Sequence, residues 1–157
     1  MQNCIVYTCV TNDYDWVLPP VWQSSYLSYI CFTDNPKVKV KGWEIRPLPS
    51  SSFVGNGVIA NRYCKFFPWE ILPVHDWSIY IDANIRMLSD PSPIINDTVS
   101  RGCEMAIFSH PVRSDIWEEA DACLVRHKLF SDENCKRIIC FHKGAALLKE
   151  YIQKFSA

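Results

Sequence analysis

Two oxygen-bearing side chains, Asp82 and Asn84, follow a short apolar run with one alanine between them. The run, residues 78–81, is rich in β-branched and aromatic residues, which predicts a strand buried on both faces. A carboxylate and an amide oxygen at this spacing can converge on a hard cation such as Mg²⁺ or Mn²⁺. The competing interpretation is a polar turn, because Asp and Asn both favour turns. The two residues alone leave both interpretations open.

Another acid, Asp34, follows a second strand-like run, residues 26–32. Ligands of open α/β sheets gather at the carboxyl ends of the strands, where such an acid can accept hydrogen bonds from a ribose or a base. The alternative is turn chemistry, since Asp34-Asn35-Pro36 is also a favourable turn sequence. The polar residues 11–15 follow the first strand in the same way, and we expect them at the same edge.

Two cations, Arg62 and Lys65, lie on a helix predicted over residues 58–72, kinked near Pro68 and ended by Pro73. This helix leads into the strand before Asp82, so the cations could meet a diphosphate; the alternative is that they are solvated. The helix begins with a G-x-G-x-x-A sequence, but a loop precedes it, whereas the dinucleotide fingerprint requires a strand there. Its apolar stripe at helical spacing consists of Ile59, Tyr63, Phe66 and Phe67.

The remaining elements complete an alternation of strands and helices. Residues 4–10 form an apolar run typical of a buried parallel strand, and residues 43–48 and 104–109 predict two more strands. Helices are predicted from a start within residues 89–93 to about residue 100, from 114 or 115 to about 129, and over 132–155. This order predicts the α/β class with a mixed, mostly parallel sheet, in one domain of 157 residues.

Composition excludes several classes of protein. A formal net charge of −1 argues against a nucleic-acid binder, which usually has a basic excess. No apolar stretch predicts a transmembrane segment, and the start of the chain has no features of a secretion signal. The eight cysteines lie in apolar runs, which predicts reduced core thiols and a cytoplasmic location. Nothing in the sequence indicates an oligomeric state.

Five short motifs follow one another in a recognisable order: a strand ending Val-Tyr-Thr, then Cys-Phe-Thr-Asp, Arg-x-x-Lys, Tyr-Ile-Asp-Ala-Asn, and His-Pro-x-Arg with Trp-Glu-Glu-Ala. Together they resemble a glycosyltransferase-like family, long described only as a domain of unknown function, that includes plant proteins tied to turgor regulation and seed mucilage. The resemblance spans residues 6–128. It implies the GT-A fold, a Rossmann-like α/β sheet flanked by helices that binds a nucleotide sugar and a divalent metal.

The resemblance also implies roles for individual residues. Asp82 and Asn84 match the metal motif, with Asn84 in place of a second carboxylate, which should weaken metal binding without abolishing it. Residues that match nucleotide-sugar positions are Thr8, Asp34 near the uracil and ribose, and Arg62 and Lys65 near the diphosphate. Residues that match the later motif, assigned to the acceptor region, are His110, Arg113, Glu118 and Glu119. No residue is assigned as the catalytic base.

The implied function is transfer of a sugar from a nucleotide-diphosphate sugar, expected to be a UDP-sugar, to a glycan or another hydroxyl acceptor, with Mn²⁺ or Mg²⁺ as cofactor. The family continues past the later helix, so we expect a single domain over residues 1–157 that lacks the distal acceptor-side segment. One alternative is therefore a catalytically impaired nucleotide-sugar-binding module. A nucleotidyltransferase is another, although it would need a basic Gly-rich loop where residues 11–15 are acidic and lack glycine.

Overall fold

The computed structural model describes residues 3–49, 55–109, 111–115, 117–118 and 121–122. The chain divides into two compact units, Met1–Glu104 and Met105–Ala157. In its described residues the first unit contains a sheet and three helices, and in the second unit residues 117–118 and 121–122 are helical. The single domain expected over residues 1–157 stays a prediction.

Four parallel strands form the sheet of the first unit, in the order β3-β2-β1-β4. This arrangement confirms the predicted α/β, Rossmann-like class, and in the described residues the sheet is entirely parallel rather than mixed. The strands are β1 (Cys4–Val10), β2 (Leu27–Thr33), β3 (Glu44–Pro47) and β4 (Trp77–Tyr80). All four agree with the predicted strands to within two residues.

Three helices accompany the sheet: α1 (Gly57–Phe66), α2 (Pro68–Ile71) and α3 (Ser92–Ser100). The predicted interruption at Pro68 is confirmed, because α1 ends before it and α2 begins with it. Gly102 follows α3 with a φ of 67°, a conformation that favours glycine and ends the helix.

The core lies on both faces of β1, in which every residue is buried. On one face Cys4 and Val6 pack with β2 residues, Trp43 and Ile95 of α3. On the other face Ile5, Tyr7 and Cys9 pack with β2 residues and Cys64 of α1. Burial on both faces explains the unbroken apolar run in the sequence of β1.

The connection from β1 to β2, residues 11–26, contains no helix. Leu18 fixes it, because its amide donates to the Ala83 carbonyl at 3.2 Å and its carbonyl accepts from Trp43 Nε1 at 2.9 Å. Further along, the Trp22 amide donates to the Met87 carbonyl at 3.0 Å. The connection is thereby bonded to the segment that follows β4.

Three predictions about burial and strands are wrong. The apolar stripe of α1 is not its buried face: Gly57, Ala60 and Cys64 are buried, whereas Ile59 and Phe66 are exposed, because the helix approaches the sheet through small side chains. Strand β4 is half-buried rather than covered on both faces, since it is an edge strand of the described sheet. Residues 104–109 are exposed and do not form a strand.

Cys4, Cys9, Cys31 and Cys64 are buried free thiols, as predicted. Cys103 is exposed, which corrects its assignment to the core. The other three cysteines and the predicted helix over 132–155 lie outside the described residues. Within the described ranges, no helix combines the length and the apolar character needed to cross a membrane.

Candidate functional site

The carboxyl ends of β2, β1 and β4 lie along one edge, because these three strands are adjacent and parallel. The β1–β2 register ends with Val10 opposite Thr33, so the residues after both strands leave the sheet side by side. On the other side of β1, the Ile81 amide donates to the Tyr7 carbonyl at 3.1 Å and extends the ladder past β4. A ligand that reaches from the end of β2 to the end of β4 crosses two strand spacings, about 10 Å. It also extends along the strands, because Tyr80 pairs with Tyr7, three residues before Val10.

The chain reverses direction directly after β1, in a turn from Thr11 to Tyr14. The Tyr14 amide donates to the Thr11 carbonyl at 3.1 Å, and Asn12 and Asp13 have φ values of 56° and 50°. Two positive φ angles are characteristic of a type I′ turn, and Asn and Asp adopt them more readily than other non-glycine residues. The Asn12 amide donates to Oδ1 and Oδ2 of Asp34, at 3.1 Å each. Asp34 therefore fixes the turn at the end of β1.

Asn35 organises the turn after β2. Its amide donates to Thr33 Oγ1 at 3.1 Å, and its side-chain oxygen accepts from the Lys37 amide at 2.9 Å. Its Nδ2 donates to Asp13 Oδ1 at 2.7 Å, which adds a second link between the two turns. The turn interpretation of this sequence is thus correct for Asn35, while the Asp34 carboxylate lies against the β1 turn.

Helix α1 begins against the same turn. A Cβ on Gly57 would lie 2.4 Å from Thr11 Oγ1 and 2.5 Å from Asn12 Nδ2, so a side chain larger than glycine does not fit here. This close contact brings the first amides of α1 and the positive end of its dipole to the carboxyl edge of the sheet. Such a helix start favours negatively charged ligand groups.

Tyr80, the last residue of β4, connects α1 with Asp82. Asn61 Nδ2 donates to Tyr80 Oη at 3.3 Å and to the Cys9 carbonyl at 2.8 Å. Lys65 Nζ lies 4.7 Å from the centroid of the Tyr80 ring. Burial raises the pKa of Tyr80, the hydrogen bond from Asn61 opposes this shift, and the nearby Asp82 carboxylate adds to it. The phenol is therefore protonated at neutral pH and can donate to Asp82.

After β4 the backbone turns at Asp82, whose carbonyl accepts from the Ile85 amide at 2.9 Å. Ala83 is buried in this turn, and the side chains of Asp82 and Asn84 are exposed on either side of it. The turn interpretation is thus correct for the backbone. The same turn leaves both oxygen-bearing side chains accessible at the edge, as a metal site would require.

Of the other residues predicted at the nucleotide sugar, Thr8 is fully buried, and its Oγ1 has no hydrogen-bond partner in the described part of the chain. Arg62 is exposed on α1, whereas Lys65 lies against Tyr80. The structure thus brings Lys65 and Asp82 to the same tyrosine, and it places Asp34 at the β1 turn.

Only part of the predicted acceptor region is described, and it belongs to the second unit. The Ser114 amide and hydroxyl donate to Glu118 Oε2 at 2.7 and 3.1 Å. Asp115 Oδ1 accepts from the amides of Trp117 and Glu118 at 2.7 and 2.9 Å, the arrangement of a helix N-cap. Glu118 is therefore part of a helix start, and Arg113 is half-buried just before it. His110 and Glu119 lie outside the described residues.

Residues 34–156 match the model of a family described as TOD1/MUCI70, glycosyltransferase-like domain. The chain belongs to this family. A curated relative is a protein of Arabidopsis thaliana named alkaline ceramidase TOD1. The two sequences are 28% identical over an alignment 167 residues long, and the alignment covers 88% of this chain and 35% of the relative. The chain therefore spans about a third of the length of that relative. No solved structure matches.

Membership in the TOD1/MUCI70 family confirms the resemblance found from the short motifs. The matched segment begins at Asp34 and includes α1, β4 and the Asp82 turn. Strand β1 and its turn precede the matched segment, although the structure bonds them to Asp34. Asp34 at one end of the candidate edge is bonded to Asn12, and Ile81 at the other end is bonded to Tyr7. Both Asn12 and Tyr7 precede the segment that the family model covers.

The side-chain oxygens that follow β4 suit one kind of metal site. Asp82 and Asn84 offer a carboxylate and an amide oxygen, and the described residues contain no group of three or more His, Cys, Asp or Glu that could hold a metal. Mg²⁺ and Mn²⁺ commonly bind through one or two protein oxygens together with substrate phosphates and water. The pair at Asp82 and Asn84 fits such a shared site and does not fit a structural site with four protein ligands.

Three residues of this edge were not predicted as site residues. Tyr80 was assigned to the apolar strand, and Asn61 lies between the apolar residues by which α1 was recognised. Asn12 was included only in a polar segment expected at the edge. A helix pattern that counts Gly57 and Ala60 as the buried face would place Asn61 next to the sheet, because i and i+4 residues share a helix face.

Proposed function

We propose that this chain binds a nucleotide-diphosphate sugar, with UDP as the nucleotide, along the carboxyl edge of a GT-A-type sheet, and that the sugar is transferred to a glycan or another hydroxyl acceptor. The main support is the position of Asn12, which joins Asp34 to the start of α1. Hydrogen-bond acceptors, helix amides and the Asp82 turn consequently lie along one edge.

Each part of the donor has a suitable partner on this edge. The Asp34 carboxylate has acceptor capacity beyond its bonds to Asn12 and can accept from ribose hydroxyls or a base amide. The start of α1 offers backbone amides to the diphosphate. Lys65, over the Tyr80 ring, places a positive charge near the Asp82 turn. The order nucleoside, diphosphate, sugar therefore runs from β2 towards β4.

In this proposal Asp82 and Asn84 would hold a divalent cation at the site of the diphosphate. When bound, the cation supplies charge that neutralises the nucleoside diphosphate as it departs. Tyr80 orients the Asp82 carboxylate, because its hydroxyl lies between Asn61 and that carboxylate. Lys65 and the start of α1 stabilise the same negative charge. The acceptor hydroxyl forms a bond to the anomeric carbon as the bond from that carbon to the diphosphate oxygen breaks, and the hydroxyl proton is released to water.

Binding of UDP in the presence and absence of Mn²⁺ tests the site. We expect UDP to raise the melting temperature only with Mn²⁺, and excess EDTA to reverse the effect. Asp82→Ala should weaken Mn²⁺-dependent UDP binding by at least about tenfold in calorimetry, which corresponds to 1.4 kcal/mol. Asp97→Ala is the matched control, because it removes an exposed carboxylate from α3. Equal affinities for the two variants would contradict the proposal.

A panel of UDP-sugars then separates the possible activities. Release of UDP with transfer to a glycan supports a glycosyltransferase, and UDP binding without turnover supports the impaired binding module. The name of the Arabidopsis relative, alkaline ceramidase, suggests a second candidate function, hydrolysis of the amide bond of ceramide. Mass spectrometry of ceramide incubated with the chain at alkaline pH tests it, with formation of sphingoid base and fatty acid as the positive result.

A further inference from the structure

Two large aromatic side chains are exposed at the end of the β1 turn and directly after it. Tyr14 is 87% exposed and Trp16 is 86% exposed, although they are separated by only one residue. Single exposed aromatics are common on protein surfaces, but two on one short segment provide a sizeable apolar contact area. We call this pair the aromatic platform.

The segment with the platform is fixed on both sides. Before it, the Asn12 amide is bonded to the Asp34 carboxylate. After it, Val17 packs against the core, and the Leu18 amide donates to the Ala83 carbonyl at 3.2 Å. The platform therefore lies on a segment that runs between the ends of β2 and β4, beside the candidate site. A fixed backbone lowers the entropic cost of binding to these rings.

Carboxylates alternate with the rings. Asp13 is exposed, and one of its oxygens accepts a hydrogen bond from Asn35. Asp15, which lies between Tyr14 and Trp16 in the sequence, is half-buried. Carboxylates accept hydrogen bonds from neutral hydroxyl groups and repel phosphates and anionic surfaces. An apolar ring face bordered by many hydroxyl groups, as in a pyranose, is complementary to this combination of aromatic and acidic side chains.

We propose that the aromatic platform binds a sugar ring of a neutral glycan. One CH face of the sugar packs on the Trp16 ring, and its hydroxyl groups donate to Asp13 and Asp15. The identification of this glycan as the acceptor rests on the proposed function, but its binding can be measured without any transfer. The platform thus selects neutral hydroxyl-rich ligands beside the donor edge.

Two other ligands fit the platform less well. A uracil could stack on one ring, but its diphosphate would then lie close to Asp13 and Asp15, which repel it. A membrane surface with anionic lipids would meet the same repulsion, since basic residues normally flank such contacts. Both remain outcomes of the experiment.

The test uses the full chain and a panel of neutral hexose and pentose oligosaccharides, with affinities measured by calorimetry or ligand-observed NMR. For an oligosaccharide that the native chain binds, Trp16→Ala should weaken binding at least about tenfold, because Trp is enriched among the side chains that carry most of the binding energy at interfaces. Trp16→Phe should restore most of the affinity. Trp69→Ala is the matched control, since Trp69 is 69% exposed on α2 and should leave glycan binding unchanged. Circular dichroism and thermal unfolding verify the fold of each variant.

The outcomes separate this proposal from the proposed function. Glycan binding that depends on Trp16 without Mn²⁺-dependent UDP binding would support the platform and reject the donor site. UDP affinity that falls in Trp16→Ala, without glycan binding by the native chain, would identify a nucleobase contact and overturn the proposal. Binding to anionic vesicles in place of oligosaccharides would overturn it as well, and so would equal glycan affinities for Trp16→Ala and Trp69→Ala.

Discussion

The backbone amide of Asn12 donates to both carboxylate oxygens of Asp34 and thereby ties the end of β1 to the end of β2. The bond depends on a turn with two consecutive positive φ angles, at Asn12 and Asp13. Backbone conformations of this kind cost free energy and persist where the surrounding structure fixes them. Here they hold a carboxylate and a helix start in place at the candidate donor site.

The Asn12 backbone provides the first prediction. Asn12→Ala and Asn12→Gly both remove the side chain and keep the amide that bonds to Asp34, but only glycine adopts a φ of 56° without strain. We expect the alanine variant to be less stable than the glycine variant by about 1 kcal/mol. Urea denaturation of both variants measures the difference, and a more stable alanine variant would show that the turn is not strained.

Gly57 provides the second prediction. An added methyl group would lie within 2.5 Å of Thr11 and Asn12 atoms, so the turn or the helix start must move. Gly57→Ala should destabilise the chain by about 1–3 kcal/mol, although alanine is the better helix former. It should also weaken UDP binding, because it displaces the start of α1. The neighbouring Val58→Ala changes an exposed helix position and should alter stability by less than about 0.5 kcal/mol.

The strands and helices of the first unit were largely predictable, because their patterns are local. The apolar run of β1 required burial on both faces, and Pro68 required a break between two helices. Prediction failed where tertiary packing determines which residues are buried. Which side of α1 meets the sheet depends on how closely Gly57 approaches the β1 turn, and Phe66 was consequently assigned to the wrong face. The apolar composition of residues 104–109 could not reveal that this segment is exposed.

For the candidate site, the residue types predicted which edge of the sheet carries the site. They did not predict the hydrogen bonds that connect its residues. Asp34 and Asp82 were placed correctly after two parallel strands that lie on either side of β1, since order along the chain and parallel pairing determine where strands end. The role of Asn12 follows from positive φ angles, and that of Tyr80 from contacts with Asn61, about twenty residues earlier in the chain. Such contacts between distant residues are not encoded in any short motif.

The buried thiols predict a fall in stability at alkaline pH. Burial raises the pKa of Cys4 from 9.0 to about 11, and burial, with Cys64 as a second cause, raises that of Cys31 to about 12. Above pH 9 the unfolded chain therefore binds fewer protons than the folded chain, so the free energy of unfolding falls as pH rises, by about 1.4 kcal/mol per pH unit for each group. Urea denaturation in reducing buffer between pH 7 and 10.5 should show this decline, with a smaller slope in Cys4→Ala. A slope unaffected by that substitution would rule out Cys4 as a source.

Tyr80 should act through Asp82 rather than through stability alone. Tyr80→Phe removes the hydroxyl between Asn61 and the carboxylate, so we expect about tenfold weaker Mn²⁺ binding, as for other groups that orient metal ligands. Tyr26→Phe is the matched control, because it removes a hydroxyl bonded to Asp90 and Ser92, next to the amino end of β2. Each variant should lose about 1 kcal/mol of stability. Paramagnetic resonance of Mn²⁺ measures the affinities, and equal values for the two variants would leave Tyr80 with a structural role only.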